Sequence, residues 1–255
     1  VDARWLVPHF EKMLYDNALL VNVYADAYRL WGNLQYEQLV RETLDYILRE
    51  MTDASGAYYS TEDADSEGVE GTFYVWTPAE IEQVLGAERA QQFCDCYDVS
   101  EAGNFEESNI LNLPKSLSQF AALRQLDETR LREQLSQDRN KLLQQRATRV
   151  RPSLDDKVLL SWNALMITAM TRGYRAVGDE RYLQSAQGAV EFIRNSLRRP
   201  DGRLWHTWRQ GTPSLDAYLD DYAYLIEALT ELFQVEARAA TLVLAIELAE
   251  SMIEH

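Results

Sequence analysis

Residues 17 to 61 recur without a gap 146 positions later, as residues 163 to 207. Asn17-Ala18-Leu19 returns as Asn163-Ala164-Leu165 and Tyr28-Arg29 as Tyr174-Arg175. Gly32, Tyr36, Ile47, Gly56 and Thr61 fall on Gly178, Tyr182, Ile193, Gly202 and Thr207. Each copy reads as helix, short turn, helix, then a Gly-containing extended hairpin. Such a duplication narrows the fold, because one helical hairpin cannot bury its apolar face alone and neighbours must stack to make a core. The expectation is an all-α chain, an α/α array or toroid with short two-stranded β-hairpins.

In the first copy Leu14, Ala18, Val21, Tyr24, Ala25 and Tyr28 keep helical spacing, Gly32-Asn33 breaks it, and Tyr36, Leu39, Val40, Leu44, Ile47 and Met51 mark the second helix. Ala57 to Ser60 and Thr72 to Trp76 read as two short strands around the acidic loop 62–68. Pro78 followed by Ala79-Glu80 starts a helix. Residues 98–114 read as an ordered loop and 127–148 as a charged helix, so a fourth, irregular hairpin sits between the copies. A third helix pair follows at 219–233 and 237–253. The expected organisation is one incomplete (α/α) barrel domain over 1–255, with repeat units at about 12–76 and 158–213 and an insert at about 77–150. The chain starts at Val1 and its last helical pattern stops uncapped, so closing hairpins are expected to be missing. Leu225, Leu229, Leu232, Leu242, Leu244 and Leu248 are then expected to form an exposed patch that drives self-association.

With 25 Lys and Arg against 41 Asp and Glu, the formal charge of −16 excludes phosphate-backbone binding, which needs clustered cations. Nucleic acid is not an expected partner. No run reaches the roughly 18 apolar residues of a membrane span, so no membrane partner is expected either. The two cysteines, Cys94 and Cys96, have a one-residue spacer that matches no redox or zinc motif; free thiols in a reducing, cytoplasmic setting are expected. Asp63, Asp65, Glu67 and Gly68 fit the start of an EF-hand loop, but Tyr74 stands where its bidentate Glu must be. An EF-hand is excluded, and no metal or cofactor is expected.

The string Trp5-Leu6-Val7-Pro8-His9-Phe10-Glu11-Lys12-Met13-Leu14-Tyr15-Asp16-Asn17-Ala18 resembles thioredoxin-domain-containing proteins of the YyaL type, whose animal members are called spermatogenesis-associated proteins. Four further segments fit that family in order. They are Glu62 to Gly68 with Gly71 to Trp76, Gly103-Asn104-Phe105-Glu106 with Asn109-Ile110-Leu111, Asp155 to Asn163, and Leu219-Asp220-Asp221-Tyr222-Ala223. The resemblance implies part of an (α/α)6 barrel similar to N-acylglucosamine 2-epimerases and six-hairpin glycosidases. It also implies a partner, a thioredoxin-like domain upstream in the full-length protein. It transfers no catalytic residue.

Asp16-Asn17, Ser161-Trp162-Asn163 and Asp221-Tyr222 each open the first helix of a pair, where Asp, Asn and Ser are also the usual N-caps. Three such openings in register, with His9, Glu11, Lys12 and Asp155-Asp156-Lys157 upstream, favour a site at one mouth. His9, Asp16, Asp155, Asp156 and Asp221 are the candidate acid–base residues. His9 reads equally as a structural histidine. Glu62, Asp63, Asp65, Asn104, Glu106, Asn17, Asn163, Lys157, His206, Trp76, Trp162 and Tyr222 supply hydroxyl-binding groups and aromatic faces for a sugar or glycan. Most of the aromatics also suit helix packing. Two functions stay open: a carbohydrate-active enzyme, epimerase-like or glycosidase-like, or a non-catalytic module that presents a glycan or client to the thioredoxin-like domain.

Overall fold

A computed structural model describes residues 1–254, and His255 lies outside them. The helices are α1 (Leu14–Trp31), α2 (Leu34–Glu50), α3 (Pro78–Leu85), α4 (Ala87–Tyr97), α5 (Leu117–Arg124), α6 (Glu128–Arg146), α7 (Leu160–Val177), α8 (Glu180–Phe192), α9 (Leu219–Glu236) and α10 (Ala239–Glu254). The strands are β1 (Lys12–Met13), β2 (Thr61–Glu62), β3 (Asp65–Ser66), β4 (Val69–Glu70), β5 (Leu154–Asp155), β6 (Val158–Leu159), β7 (Trp205–Arg209) and β8 (Thr212–Asp216). The chain divides into two compact units. One combines Val1–Glu11 with Asp63–Ser153; the other combines Lys12–Glu62 with the chain from Leu154 on.

The second unit is an array of three helical hairpins, α1/α2, α7/α8 and α9/α10. Helix α7 lies between α1 and α9, and its residues from Met166 to Thr171 are all buried. The repeat is tighter than the residue identities show. Helices α1, α7 and α9 are each 18 residues long and start at positions 14, 160 and 219. Their partners α2, α8 and α10 start at 34, 180 and 239, so both helices of each pair keep one register. The second step is 59 residues where the first is 146, because the first step also contains the stretch 63–153 that belongs to the other unit.

The local causes repeat as well. Each inner helix stops at a left-handed residue, Gly32 (φ 64°), Gly178 (φ 71°) and Ala237 (φ 52°), whose N–H returns to the carbonyl four residues back. Only glycine takes this conformation without strain. Asn33 and Asp179 then cap α2 and α8 through Gln35 N (2.9 Å) and Arg181 N (3.0 Å). The third copy has Arg238 at that place. Strand pairing follows the same offset, with Lys12↔Glu62 and Met13↔Thr61 in one sheet and Val158↔Trp208 and Leu159↔Thr207 in the other. β5 completes the first sheet as β8 completes the second.

Two expectations fail here. The segments 57–60 and 72–76 do not form a strand pair; Tyr58 bridges to Thr52 and Trp76 to Asn109, and the strand that follows, β2, is held by β1 and β5. The acidic loop forms its own hairpin, β3 against β4, turning on Glu67 and Gly68 at positive φ. The leucines expected in an apolar patch do not form it; the exposed apolar side chains of the last hairpin include Leu219, Val243, Ile246 and Ile253 instead. Leu225, Leu229, Leu232, Leu244 and Leu248 are buried, and of the six only Leu242 is exposed, at 36%. These leucines point back into the array, toward α7 and between α9 and α10, because both faces of these helices are apolar and the inward one is filled first.

The other unit packs α3 to α6 around Ile81, Phe93, Phe120, Leu131 and Leu135. A Thr77/Glu80 capping box with Pro78 in the first turn starts α3. Trp76 bridges to Asn109 and lies beneath the Arg149 guanidinium, 4.2 Å from its ring centroid. Gly71 (φ 77°) packs against the Phe10 ring, which a Cβ would approach to 2.7 Å.

Candidate functional site at the starts of the inner helices

In the three-hairpin unit the inner helices begin side by side, and positions Asp16, Trp162 and Asp221 are equivalent, as are Asn17, Asn163 and Tyr222. The Tyr15 ring meets Trp162 edge-on, with centroids 4.8 Å apart. On the other flank Asp221 is completely buried. Its Oδ1 accepts the Ser161 N–H at 2.8 Å, and its Oδ2 accepts the Tyr218 N–H at 2.8 Å. The same Oδ2 lies 2.8 Å from His206 Nδ1. His206 comes from β7 and rests edge-on against Tyr218, 4.8 Å between ring centres.

This arrangement fixes the imidazole. A carboxylate only accepts hydrogen bonds, so Nδ1 carries the hydrogen, and in the neutral ring Nε2 presents a lone pair. Nε2 makes no hydrogen bond among the described residues, and the side chain keeps 19% of its surface. An oriented imidazole backed by a buried carboxylate is the arrangement of a general base.

The remaining candidates of this unit divide by what they touch. Asn163 is buried and serves the backbone: Oδ1 accepts from Tyr58 N (2.8 Å), while Nδ2 donates to Tyr58 O (2.9 Å) and Leu159 O (3.0 Å). Asn17 repeats the last of these bonds, donating to Met13 O at 2.8 Å. The Tyr222 hydroxyl accepts from Leu204 N at 3.1 Å. Asp156 accepts from Gln210 Nε2 (2.8 Å) and Arg209 Nε (2.5 Å), and these bonds hold its carboxyl below the ordinary value. Asp155 pairs with Lys157 at 3.0 Å. Asp155 thus braces the turn between β5 and β6, and Asp156 ties that turn to the one between β7 and β8. Glu62 is 2% exposed, accepts the Tyr46 hydroxyl at 2.5 Å and lies across the ladder from Lys12. Asp16 is exposed in the first turn of α1.

His9, Glu11, Asp63, Asp65, Trp76, Asn104 and Glu106 belong to the other unit. His9, Glu11, Asp63, Asp65 and Glu106 are exposed there. Trp76 is a core residue at 2% exposure. Asn104 pins its loop, accepting from Ile110 N (2.8 Å) and donating to Ile110 O (3.0 Å). Glu106 and Glu107, both at positive φ, form a two-residue turn between Phe105 and Ser108. Burial raises the Cys96 thiol to about 11 and also raises Cys94, which leaves both poor nucleophiles. Among the described residues no three His, Cys, Asp or Glu side chains are placed to hold a metal ion, and no helix is long and apolar enough to cross a membrane.

Sequence reasoning named His206 and Asp221 separately and missed Tyr218. The available signal was position, since Tyr218 directly precedes α9 as Met13 and Leu159 precede α1 and α7.

No protein-family model matches the chain. Human spermatogenesis-associated protein 20 is 34% identical over 284 aligned positions, which cover 98% of this chain and 36% of the relative. The chain belongs to the spermatogenesis-associated protein 20 family. A Caenorhabditis elegans relative, uncharacterised, is 30% identical over 97% of the chain. The chain therefore spans little more than a third of the length of the curated family members it matches. Among solved structures it is similar to cellobiose 2-epimerase from Spirochaeta thermophila, with a TM-score of 0.58 and 11% identity over 98% of this chain and 45% of that one. It is similar also to a D-mannose isomerase (TM-score 0.55, 12% identity, 94% and 40% covered) and to a family 76 mannosidase from Bacteroides thetaiotaomicron (0.52, 10%, 96% and 44%). The fold of this family member is thus a partial (α/α)6 toroid, of the kind found in 2-epimerases and six-hairpin glycosidases.

Proposed function

We propose that the hairpin unit is a carbohydrate-active domain catalysing proton transfer at a carbon beside a sugar carbonyl, with His206 as the base. The observation that carries this reading is the 2.8 Å contact between His206 Nδ1 and the buried Asp221, which aims Nε2 outward. Nε2 takes the proton from the carbon next to the open-chain carbonyl, and the bonding pair moves into an enediolate. Return of the proton to the neighbouring carbon, with the hydroxyl proton of the first carbon passing to the former carbonyl oxygen, gives an isomer; an epimer needs a proton delivered to the opposite face of the same carbon by a second acid. Asp221 is a positioning residue in this scheme, and Tyr15 and Trp162 offer ring faces to the sugar. Hydrolysis is less well supported, because it needs two available carboxyl groups and Asp155 and Asp156 are engaged with Lys157, Arg209 and Gln210. The sugar epimerases and isomerase among the fold neighbours favour the same class.

The test is isotope exchange. Incubation of the full-length protein in deuterium oxide with mannose, glucose or cellobiose should introduce deuterium at carbon 2, followed by proton NMR. His206→Gln should abolish the exchange while ligand-induced thermal shifts persist. Binding without exchange in the wild type would instead identify a glycan- or client-binding module that serves the thioredoxin-like domain.

A further inference from the structure

The inner helices that carry the His206–Asp221 pair at their starts also show what lies below it. Asp26, Arg172 and Glu231 occupy one equivalent position on α1, α7 and α9. Arg172 reaches both neighbours there, 3.7 Å from Asp26 and 2.8 Å from Glu231, so the three positions face one shared side. Seven residues earlier on each helix, and on the same helix face, stand Leu19, Leu165 and Tyr224. Leu165 lies on the inner helix that has a neighbour on each flank, and it is still only partly buried. The exposure of this row is therefore a property of the array, and Tyr224 shares it at 38%. Tyr224 is the polar member of an otherwise apolar row. It follows Asp221 by three residues, about 4.5 Å along the axis, and a helical side chain leans back toward the N-terminus. Its ring is thus directed toward the level at which His206 presents Nε2. Tyr46, Tyr58, Tyr59, Tyr174, Tyr182 and Tyr222 each engage their hydroxyl with a neighbour. The Tyr224 hydroxyl makes no hydrogen bond among the described residues.

We propose that Tyr224 is a second catalytic residue, whose hydroxyl donates a hydrogen bond to the carbonyl oxygen of the sugar. The assignment rests on the reading of His206 as the base. When Nε2 removes the proton from the carbon beside the carbonyl, the bonding pair moves toward that oxygen, and the enediolate carries its negative charge there. A neutral donor held at this oxygen gains most in the transition state, where the acceptor becomes charged. The apolar side chains at the same level, Leu19 and Leu165, offer the charge no competing partner and keep the local dielectric low. The ion pairs of Arg172 with Asp26, Glu227 and Glu231 lie two turns further down, and this guanidinium is already matched by three carboxylates. The hydroxyl of Tyr224 is then the donor left for the oxygen on α9.

The experiment compares full-length wild type and Tyr224→Phe in two assays. The first is deuterium exchange at carbon 2 of mannose, glucose and cellobiose; the second is calorimetric binding of arabinonohydroxamate, which mimics a hexose enediolate, and of mannitol, which has no carbonyl. Tyr224 is part-exposed, so circular dichroism should show the variant folded. Its kcat for exchange should fall by about 10²–10³, the cost of one lost oxyanion donor, with KM nearly unchanged. The hydroxamate should bind at least tenfold more weakly, and mannitol as before. A tyrosine that only shapes the wall would weaken both ligands or neither. Exchange at the wild-type rate in Tyr224→Phe, or equal losses for the two ligands, overturns the assignment and leaves His206 as the base. No exchange in the wild type ends the base reading and this assignment together.

Discussion

Asp221→Asn tests the assignment of the imidazole hydrogen. The carboxylate accepts from Ser161 N, Tyr218 N and His206 Nδ1, each at 2.8 Å. An asparagine retains one oxygen, which the Ser161 N–H claims, and its NH2 then faces the Tyr218 N–H and His206 Nδ1. Nδ1 must become an acceptor, so the hydrogen moves to Nε2, and the Tyr218 N–H is left without a partner. A bond to a charged acceptor contributes about 1.5–3 kcal/mol, and an orphaned buried donor costs about 1–3 kcal/mol. Allowing for overlap between the two, the unfolding free energy should fall by roughly 2–4 kcal/mol in urea titration. Turnover, if the base reading holds, should fall by about three to four orders of magnitude, the scale of a wrong-tautomer histidine in a hydrolase triad. The direct assay is nitrogen-15 NMR of histidine-labelled protein, which has only three histidines; His206→Gln assigns the signal. The wild type should show the Nδ1–H tautomer and Asp221→Asn the Nε2–H tautomer. A wild-type His206 with the averaged shifts of a free imidazole, unmoved by the substitution, would refute the reasoning.

Ala237→Gly removes the strain of a left-handed alanine (about 1–2 kcal/mol) against a glycine entropy cost of roughly 0.5–1 kcal/mol; urea unfolding of the hairpin unit should show a net gain of roughly 0.5–1 kcal/mol. Arg238→Asn should add about 1 kcal/mol by capping α10 as Asn33 caps α2, and a loss in either variant would break the three-copy register. Gly71→Ala brings a Cβ to 2.7 Å from Phe10 at φ 77°, so amide exchange should report a loss of about 2–4 kcal/mol confined to the unit that contains it. Hydrogen bonding to Asp53 raises the Tyr59 hydroxyl from 10.0 to about 12, and burial raises Tyr58 and Tyr182 too. The native state therefore holds these protons more tightly; the stability they contribute is complete below pH 10 and is lost as pH rises through about 12. Ultraviolet titration should find Tyr58, Tyr59 and Tyr182 among the late tyrosines, ionising together with unfolding, and their titration near pH 10 in folded protein would contradict this.

The duplication, the helix ends at Gly32 and Gly178, and the caps at Asn33 and Asp179 were legible because each depends on a few adjacent residues. A left-handed position selects glycine, and an exposed N–H selects a short polar side chain, whatever the rest of the chain does. Family-like strings such as Trp5 to Ala18 are also carried by the linear order, and they led to the toroid. The third copy kept its register with almost no identity, since Ala237 and Arg238 replace the signals that mark the other two. Its alignment is set by helices of equal length packing side by side, which is a property of the array. The sequence likewise named Asn163 and Asn104 as ligand-binding groups and Asp156 as an acid–base candidate, when their partners are Tyr58, Ile110, Arg209 and Gln210. A polar side chain looks the same in the sequence whether it meets a ligand or a backbone 105 residues away. Both faces of α9 are apolar, so only packing decides that Leu225 is inside and Leu219 outside. The pairing of His206 with Asp221 is decided at that same level, because a strand and a helix must first be brought together before an imidazole and a carboxylate can share a hydrogen.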